Sequence, residues 1–236
     1  MNRKIKKQVL QLLAGDLDTA RREFAQYDEH GLVNPLFSAL YRPEVVLRWH
    51  TVTLFGEVLA RLADKDMEAA RIVMRRYIWS LNDESGGIGW GAPEAMAEGI
   101  YHHDGLCDEY LHMLISYMCP DGPLEHQDGN HLELPALQRG LLWGIGRVAE
   151  KRAALLLQKN VVPNILAYLE SEDAVVRAFA ARALGLLGAA EAENSLQELL
   201  TDKHELQFYH EGEFTLSTVG KFAETALEQV QKQQAA

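Results

Sequence analysis

The sequence predicts an all-α fold that is built from about five helical-hairpin repeats. Two observations lead to this prediction: apolar residues recur at helical spacing, and one frame of them appears twice along the chain. Residues 163–188 read PNILAYLESEDAVVRAFAARALGLLG, in which an acidic turn separates two apolar helical stripes. Residues 34–59 read NPLFSALYRPEVVLRWHTVTLFGEVL, and they align with that segment when 129 is added to each number. An internal period of this kind is the sequence signature of a repeat architecture.

Three weaker copies of the same frame complete the expected array. In each copy, a first helix leads through a turn into a second helix that carries apolar and small residues. One helix pair cannot bury its apolar face alone, so neighbouring pairs must stack and the end of the stack needs capping helices. We therefore expect a single repeat domain over residues 1–236, with N-terminal capping helices at 1–30 and repeats at 32–66, 68–103, 108–152, 161–189 and 193–230.

The two clear copies share a motif. At the offset of 129, five positions coincide: Leu40 with Leu169, Glu44 with Asp173, Leu47 with Val176, Arg48 with Arg177, and Gly56 with Gly185. The leucine, the acidic turn, the Val-Arg pair and an Ala-Leu-Gly run resemble a HEAT-type repeat, in the short form that is often called the PBS-lyase HEAT-like repeat. This resemblance implies a right-handed α-α superhelix, that is, a HEAT-like, armadillo-like solenoid. It also implies protein binding.

Enzymes that contain HEAT-like repeats provide specific alternatives. Deoxyhypusine hydroxylase resembles this chain in repeat type and holds two irons with His-Glu dipeptides from different repeats. Here the dipeptides His204-Glu205 and His210-Glu211 both fall in the last repeat, so we do not expect a di-iron site. HEAT-like DNA glycosylases need a positively charged face, whereas this chain has a formal net charge of −11.

Composition limits the classes of partner. The acidic balance, with a pI of about 5.3, argues against a nucleic-acid partner. No apolar stretch reaches the ~20 residues that a membrane span needs, and no signal peptide is visible. The two cysteines, Cys107 and Cys119, fit free thiols in a reducing compartment. We therefore expect a cytoplasmic protein that binds neither nucleic acid nor membranes.

Three of the five turns between first and second helices are expanded, and stacking should place all five along one edge, which we call the turn ridge. The expanded turns read NDESGGIGWGA at 82–92, CPDGPLEHQDGNHLELP at 119–135 and TDKHELQFYHEGE at 201–213. The first and fourth repeats have short turns instead. Because loops carry function more often than the elements that they connect, the expanded turns are the candidate functional segments.

We expect the turns at 82–94 and 120–134 to pack together and to form a polar pocket on the turn ridge. An indole would provide its apolar floor, and carboxylates and imidazoles would provide directional contacts. The candidate ligand-binding residues are Glu84, Trp90, Glu94, His126, Asp128 and His131. Among these, His126, Asp128 and His131 could bind a divalent metal such as zinc, iron or manganese. The alternative interpretation is that Trp90 only plugs the turn and that the loop histidines are solvated.

These patterns favour a protein-interaction scaffold that binds another protein through its concave helix face and its turn ridge. The alternative is a small-molecule- or metal-dependent enzyme with a site between the loops 82–94 and 120–134, where a small ligand would bind. No residue can be assigned a catalytic role from the sequence. We also expect negligible β-structure, with residues 201–213 forming a turn and a helix following directly after it.

Overall fold

The structure, a computed structural model, describes residues 3–82, 89–120, 122 and 130–235, and these residues are mostly helical. They form twelve α-helices and one pair of strands. The helices are α1 (Arg3–Leu13), α2 (Leu17–Phe24), α3 (Glu29–Leu40), α4 (Val45–Lys65), α5 (Met67–Asn82), α6 (Ala92–His102), α7 (Asp104–Ser116), α8 (Pro135–Gln158), α9 (Val162–Leu166), α10 (Ala174–Leu187), α11 (Glu193–Leu199) and α12 (Val219–Gln234). None of the helices in these ranges is long and apolar enough to cross a membrane.

Side-chain caps fix several helix starts where the sequence predicts them. Asp16 and Asp28 each accept a hydrogen bond from the backbone N–H three residues further on, at 2.7 and 3.2 Å. Asp173 accepts two such bonds, at 3.0 and 3.1 Å, and it begins α10 directly after the predicted acidic turn. Each cap satisfies backbone donors that the first turn of a helix leaves free. Asp16 thereby separates α2 from α1.

The chain divides into two compact units, Met1–Leu111 and His112–Ala236. In the first unit, α4 contacts α3, α5 and α6. Its core contains a cluster of three aromatic rings, Phe37, Phe55 and Tyr77, whose centroids lie 4.9 to 5.3 Å apart. Edge-to-face contacts of this kind add to the energy gained from burying the rings. The two helices of the first predicted repeat, α3 and α4, thus share a core with α5, the first helix of the next repeat.

Two second helices of the first unit approach closely at Gly56. A Cβ atom added there would lie 2.3 Å from the Cβ of Glu98, on α6. In the second unit, α10 packs against both α8 and α12. A Cβ atom at Gly185 would lie 2.6 Å from the Cα of Ala226 on α12. These two equivalent glycines therefore both lie at close helix crossings.

The prediction for the last expanded turn is wrong, because residues 205–218 form a β-hairpin. Strand β1 (Glu205–His210) pairs antiparallel with β2 (Glu213–Thr218), and α12 begins only after β2. Glu211 and Gly212, with φ values of 48° and 94°, form the two-residue turn. Two positive φ values give a turn whose twist matches that of paired strands. Aromatic residues on both sides of this turn, together with two threonines in β2, favour the strands over a helix.

Replacing Gly185 with leucine should lower the free energy of unfolding by about 1–3 kcal/mol, because the new side chain overlaps the backbone of α12. Gly31, where a Cβ atom would meet only one side-chain oxygen at 4.0 Å, provides the matched control. Chemical denaturation of both leucine variants measures the difference. Equal stability of the Gly185→Leu and Gly31→Leu variants would contradict the close crossing of α10 and α12.

Candidate functional site

The structure describes half of the predicted pocket residues. Glu84, His126 and Asp128 lie outside the described residues, whereas Trp90, Glu94 and His131 lie within them. Trp90 and Glu94 belong to the first compact unit and His131 to the second. A shared pocket on the turn ridge therefore stays a prediction.

Glu94 lies in the first turn of α6, where an acid interacts favourably with the helix dipole. Its Oε2 atom has no solvent access and no hydrogen-bond partner in the described part of the chain. Burial raises the pKa of this carboxyl from 4.5 to about 7, although the charge of Arg48 opposes the shift. Four residues before it, Trp90 is 39% exposed. A carboxyl whose pKa is raised to about 7 can exchange its proton near neutral pH.

The histidines at the end of α6 have structural roles. His103 accepts a hydrogen bond from the backbone N–H of Leu106 through its Nδ1 atom, at 3.1 Å, and thereby caps α7. His102 lies one turn after Glu98, with 3.2 Å between its Nε2 atom and the Glu98 Oε2 atom. His103 therefore helps to fix the start of α7.

His131 packs against Tyr168. The two rings are stacked with centroids 6.2 Å apart, and the Tyr168 hydroxyl lies 3.5 Å from the His131 Nδ1 atom. Within the described ranges, no group of three or more histidine, cysteine or acidic side chains is placed to hold a metal ion. Since His126 and Asp128 lie outside those ranges, the predicted metal site stays a prediction.

Arginines in the first turns of second helices reach acids that belong to the next repeat. Arg139, on α8, donates two hydrogen bonds to the Asp173 carboxylate, and Arg177, on α10, donates to Asp202 at 2.6 and 3.1 Å. Arg48, the counterpart of Arg177 in the first clear copy, acts on Glu94 through its charge. Arg139 and Arg177 thus connect each second helix to a turn of the following repeat.

The hairpin of the second unit lies against α8 and α10. The indole Nε1 of Trp143 donates a hydrogen bond of 2.8 Å to the carbonyl oxygen of Tyr209, at a buried position. The ring of Phe208 lies 5.8 Å from that of Phe179, on α10, and 5.3 Å from that of Phe222, on α12. Strand β1 is therefore held by three helices through both its backbone and its side chains.

An ion network centred on Glu150 also holds the hairpin. This carboxylate accepts hydrogen bonds from Arg147 and Arg182, and His210 Nε2 lies 2.8 Å from its Oε1 atom. Burial raises the pKa of Glu150, but the hydrogen bonds and the two positive charges outweigh it and lower the pKa to about 2. The Arg182 side chain fits here because residue 146 is a glycine. A Cβ atom at that position would overlap the Nη1 atom of Arg182. Breaking such a network leaves buried charges unpaired.

A cleft of about 250 Å³ lies between the hairpin, α10 and α12, entirely within the second unit. Its lining combines aromatic rings, hydroxyl groups and two cations, which suits an amphipathic chain segment. The lining residues are Arg182, Leu186, Phe208, Thr215, Ser217, Lys221, Phe222, Thr225, Ala226 and Gln229. This cleft was not predicted from the sequence. The signal that could have indicated it is the alternation of apolar and polar residues around the Glu-Gly turn.

The sequence matches the family description of HEAT repeats over residues 132–207. The predicted resemblance to HEAT-like repeats is thereby confirmed for this part of the chain. Comparison with curated proteins finds no match.

Three of the solved structures that resemble this chain are designed armadillo repeat proteins. One is similar with a TM-score of 0.54 and 16% identity, over 95% of this chain and 91% of the other. Another, designed for modular peptide recognition, has a TM-score of 0.52 and 15% identity over the same shares. A third, in complex with the peptide (KR)4, has a TM-score of 0.54 and 16% identity, again over 95% and 91%. The predicted all-α superhelical repeat fold is thereby confirmed.

Replacing Glu94 with glutamine should change stability in a pH-dependent way. Because the folded-state pKa is raised from 4.5 to about 7, the neutral acid stabilises the fold at low pH, and this contribution is lost as the pH rises through 7. Glutamine resembles the neutral acid, so Glu94→Gln should be nearly neutral at pH 5 and should stabilise by up to about 3 kcal/mol at pH 9. Denaturation at both pH values measures this, with the exposed Glu44→Gln as control. A Glu94→Gln effect that is the same at both pH values would refute the burial argument.

Replacing Glu150 with glutamine should destabilise the second unit by about 3 kcal/mol at pH 7, since the mostly buried Arg182 loses its acidic partner and Arg147, which also pairs with Glu211, loses one acid. The folded-state pKa is lowered, so the stabilisation is present above 4.5 and is lost as the pH falls towards 2. The difference between wild type and variant should shrink over that window. The exposed Glu228→Gln, on α12, is the control in thermal melts at each pH, and a constant difference down to pH 2 would exclude this role of Glu150.

Proposed function

We propose that this chain is a cytoplasmic protein-interaction scaffold that binds a segment of a partner protein on its second-helix surface and turn ridge. The observation that carries this proposal is the open cleft beside the hairpin, which lies on the surface of two consecutive second helices, α10 and α12. HEAT-like and armadillo-like repeat folds are typical of scaffolds that bind peptides and proteins. Support also comes from the resemblance to a designed repeat protein in complex with a peptide.

The size of the cleft favours side chains of a partner over a cofactor or a drug-sized substrate. Its volume of about 250 Å³ falls below the range of roughly 300–1,000 Å³ that small-molecule sites span. Phe208 and Phe222 provide an apolar surface, and Thr215, Ser217 and Thr225 provide hydroxyl groups at its margins. Such a lining suits one or two anchor residues of a longer chain, with the remaining contacts made outside the cleft.

The charge of the chain indicates the class of partner. With a formal net charge of −11, its long-range field attracts positively charged proteins and repels nucleic acid. We therefore expect a basic segment of a partner protein.

A second candidate function, binding of a small ligand on the turn ridge, rests on Glu94. A carboxyl whose Oε2 atom is buried and lacks a partner among the described residues, four positions after the partly exposed Trp90, is the kind of group that functional sites contain. For the enzyme alternative, this observation provides one residue that could exchange a proton with a ligand.

Selection of random peptides displayed on phage, with the immobilised full chain as target, should enrich binders whose affinity depends on the cleft. Filling the cleft with Thr225→Trp should weaken an enriched peptide at least about tenfold, the effect expected when a well-packed anchor is displaced. Glu228→Trp adds the same side chain to an exposed position of α12 outside the cleft and should bind like wild type. Calorimetric titration measures both.

Failure to enrich any peptide in repeated selections would count against peptide binding as the function. Equal affinity of the Thr225→Trp and Glu228→Trp variants would instead place the binding surface elsewhere on the chain.

A further inference from the structure

The outer edge of β2 has backbone groups that the hairpin does not use. The strands turn after His210, which pairs with Glu213. In a two-residue hairpin this first pair exchanges both of its hydrogen bonds, and the ladder then alternates along the strands. The alternation directs the N–H and C=O groups of Phe214 and Leu216 away from β1.

Two observed hydrogen bonds confirm this alternation. The carbonyl of Tyr209, in the pair next to the turn pair, points out of the ladder and accepts the bond from Trp143. Beyond the strand ends, the N–H of Val219 donates to the carbonyl of His204 at 3.1 Å, which continues the ladder with the same period. Over the described residues, no backbone hydrogen bond from outside the ladder reaches Phe214 or Leu216.

The two edges of the hairpin differ in what covers them. The edge of β1 lies against α8, through the bond to Trp143. On β2, Leu216 is 68% exposed and its backbone faces the same free edge. Natural proteins usually protect an exposed edge with a charge, a proline or a covering element, since unpaired strand groups are a template for another chain. An apolar residue in the middle of an unprotected edge is instead suited to receive a further strand.

Side-chain direction and charge specify the segment that fits this edge. Because side chains alternate along a strand, a strand added to β2 would direct every second side chain to the side of Thr215 and Ser217, which line the cleft. The exposed charges of the hairpin tip are acidic, Glu211 and Glu213. Both cations of the cleft are already paired with acids, Arg182 with Glu150 and Lys221 with Glu224.

We propose that the edge of β2 binds an extended basic peptide segment as a third strand. The segment alternates apolar side chains, one of which enters the cleft, and carries lysine or arginine residues beside them. This inference rests on the proposed scaffold function and names its site and its mode of recognition. A second copy of the chain is a less suitable occupant, since a net charge of −11 opposes self-association.

Paired proline variants test the edge directly. Leu216 and Gln207 face each other across the ladder, and both backbones point outwards, Leu216 from β2 and Gln207 from β1. Leu216→Pro should remove one outward N–H from the proposed binding edge, and Gln207→Pro should remove one from the opposite edge, without loss of a ladder bond in either case. Fluorescence anisotropy with a peptide enriched by phage display on wild-type chain should show at least tenfold weaker binding to Leu216→Pro. Binding to Gln207→Pro should stay within twofold of wild type.

A second measurement on wild-type chain avoids any effect of proline on folding. Hydrogen exchange followed by NMR should show that the bound peptide slows exchange of the Phe214 and Leu216 amides at least tenfold, with no change at Gln207.

Peptide binding without protection of these two amides, or with equal affinity for both proline variants, would overturn the proposed edge and leave the scaffold function standing. Enriched peptides that are acidic would overturn the proposed charge, and a dimer in light scattering that Leu216→Pro dissociates would make a second copy the occupant. If no peptide is enriched, the scaffold function and this inference both fail.

Discussion

The close approach of consecutive second helices is the constraint on which the stacking of this protein depends. At Gly56, Gly146 and Gly185, a single Cβ atom would lie within 2.2 to 2.6 Å of atoms from the facing helix. At Gly56 and Gly185 the overlap would involve backbone atoms, so these two positions set the distance between two helices, whereas at Gly146 it would involve the guanidinium group of Arg182. Where two helices approach this closely, the residue that faces the glycine is buried. Opposite Gly185 this is an alanine, but opposite Gly56 and Gly146 it is a charged side chain, and those charges need partners.

The charge opposite Gly146 connects helix packing to the candidate site. Arg182 occupies the space that the missing Cβ leaves, and from there it reaches Glu150. Glu150 in turn holds His210, the last residue of β1, while the aromatic contacts of Phe208 hold the middle of that strand. The hairpin is therefore placed by the crossing of α8 and α10 and not by its own two-stranded pairing, which alone would be marginally stable. The cleft beside it follows from that placement.

The sequence predicts the helical part of the fold because its signals are local. Apolar periodicity and the aspartate caps need only a few neighbouring residues, and the offset that aligns Arg48 with Arg177 identifies equivalent second helices. The hairpin was missed because its stability comes from distant residues such as Trp143 and Phe179, even though the Glu-Gly turn is a local signal. For the site, the sequence indicates that Glu94 starts a helix on the turn ridge, but the loss of solvent at its Oε2 atom depends on surrounding helices. The cleft joins positions from residue 182 to residue 229, which no local pattern connects.

The hairpin also changes where a scaffold of this kind can bind. It covers part of the surface of α8 and α10, the helices whose equivalents in a bare repeat would be open to a partner. The β1 edge of the hairpin is occupied by the bond to Trp143. The hairpin therefore hides part of the helix surface and offers the free edge of β2 in its place. Pairing at a strand edge is directional, because backbone donors and acceptors alternate at fixed spacing, whereas a helix surface offers side chains alone. A repeat that inserts a hairpin in its last turn thereby acquires a backbone recognition element that stacked helices cannot provide, since their own hydrogen bonds are satisfied internally.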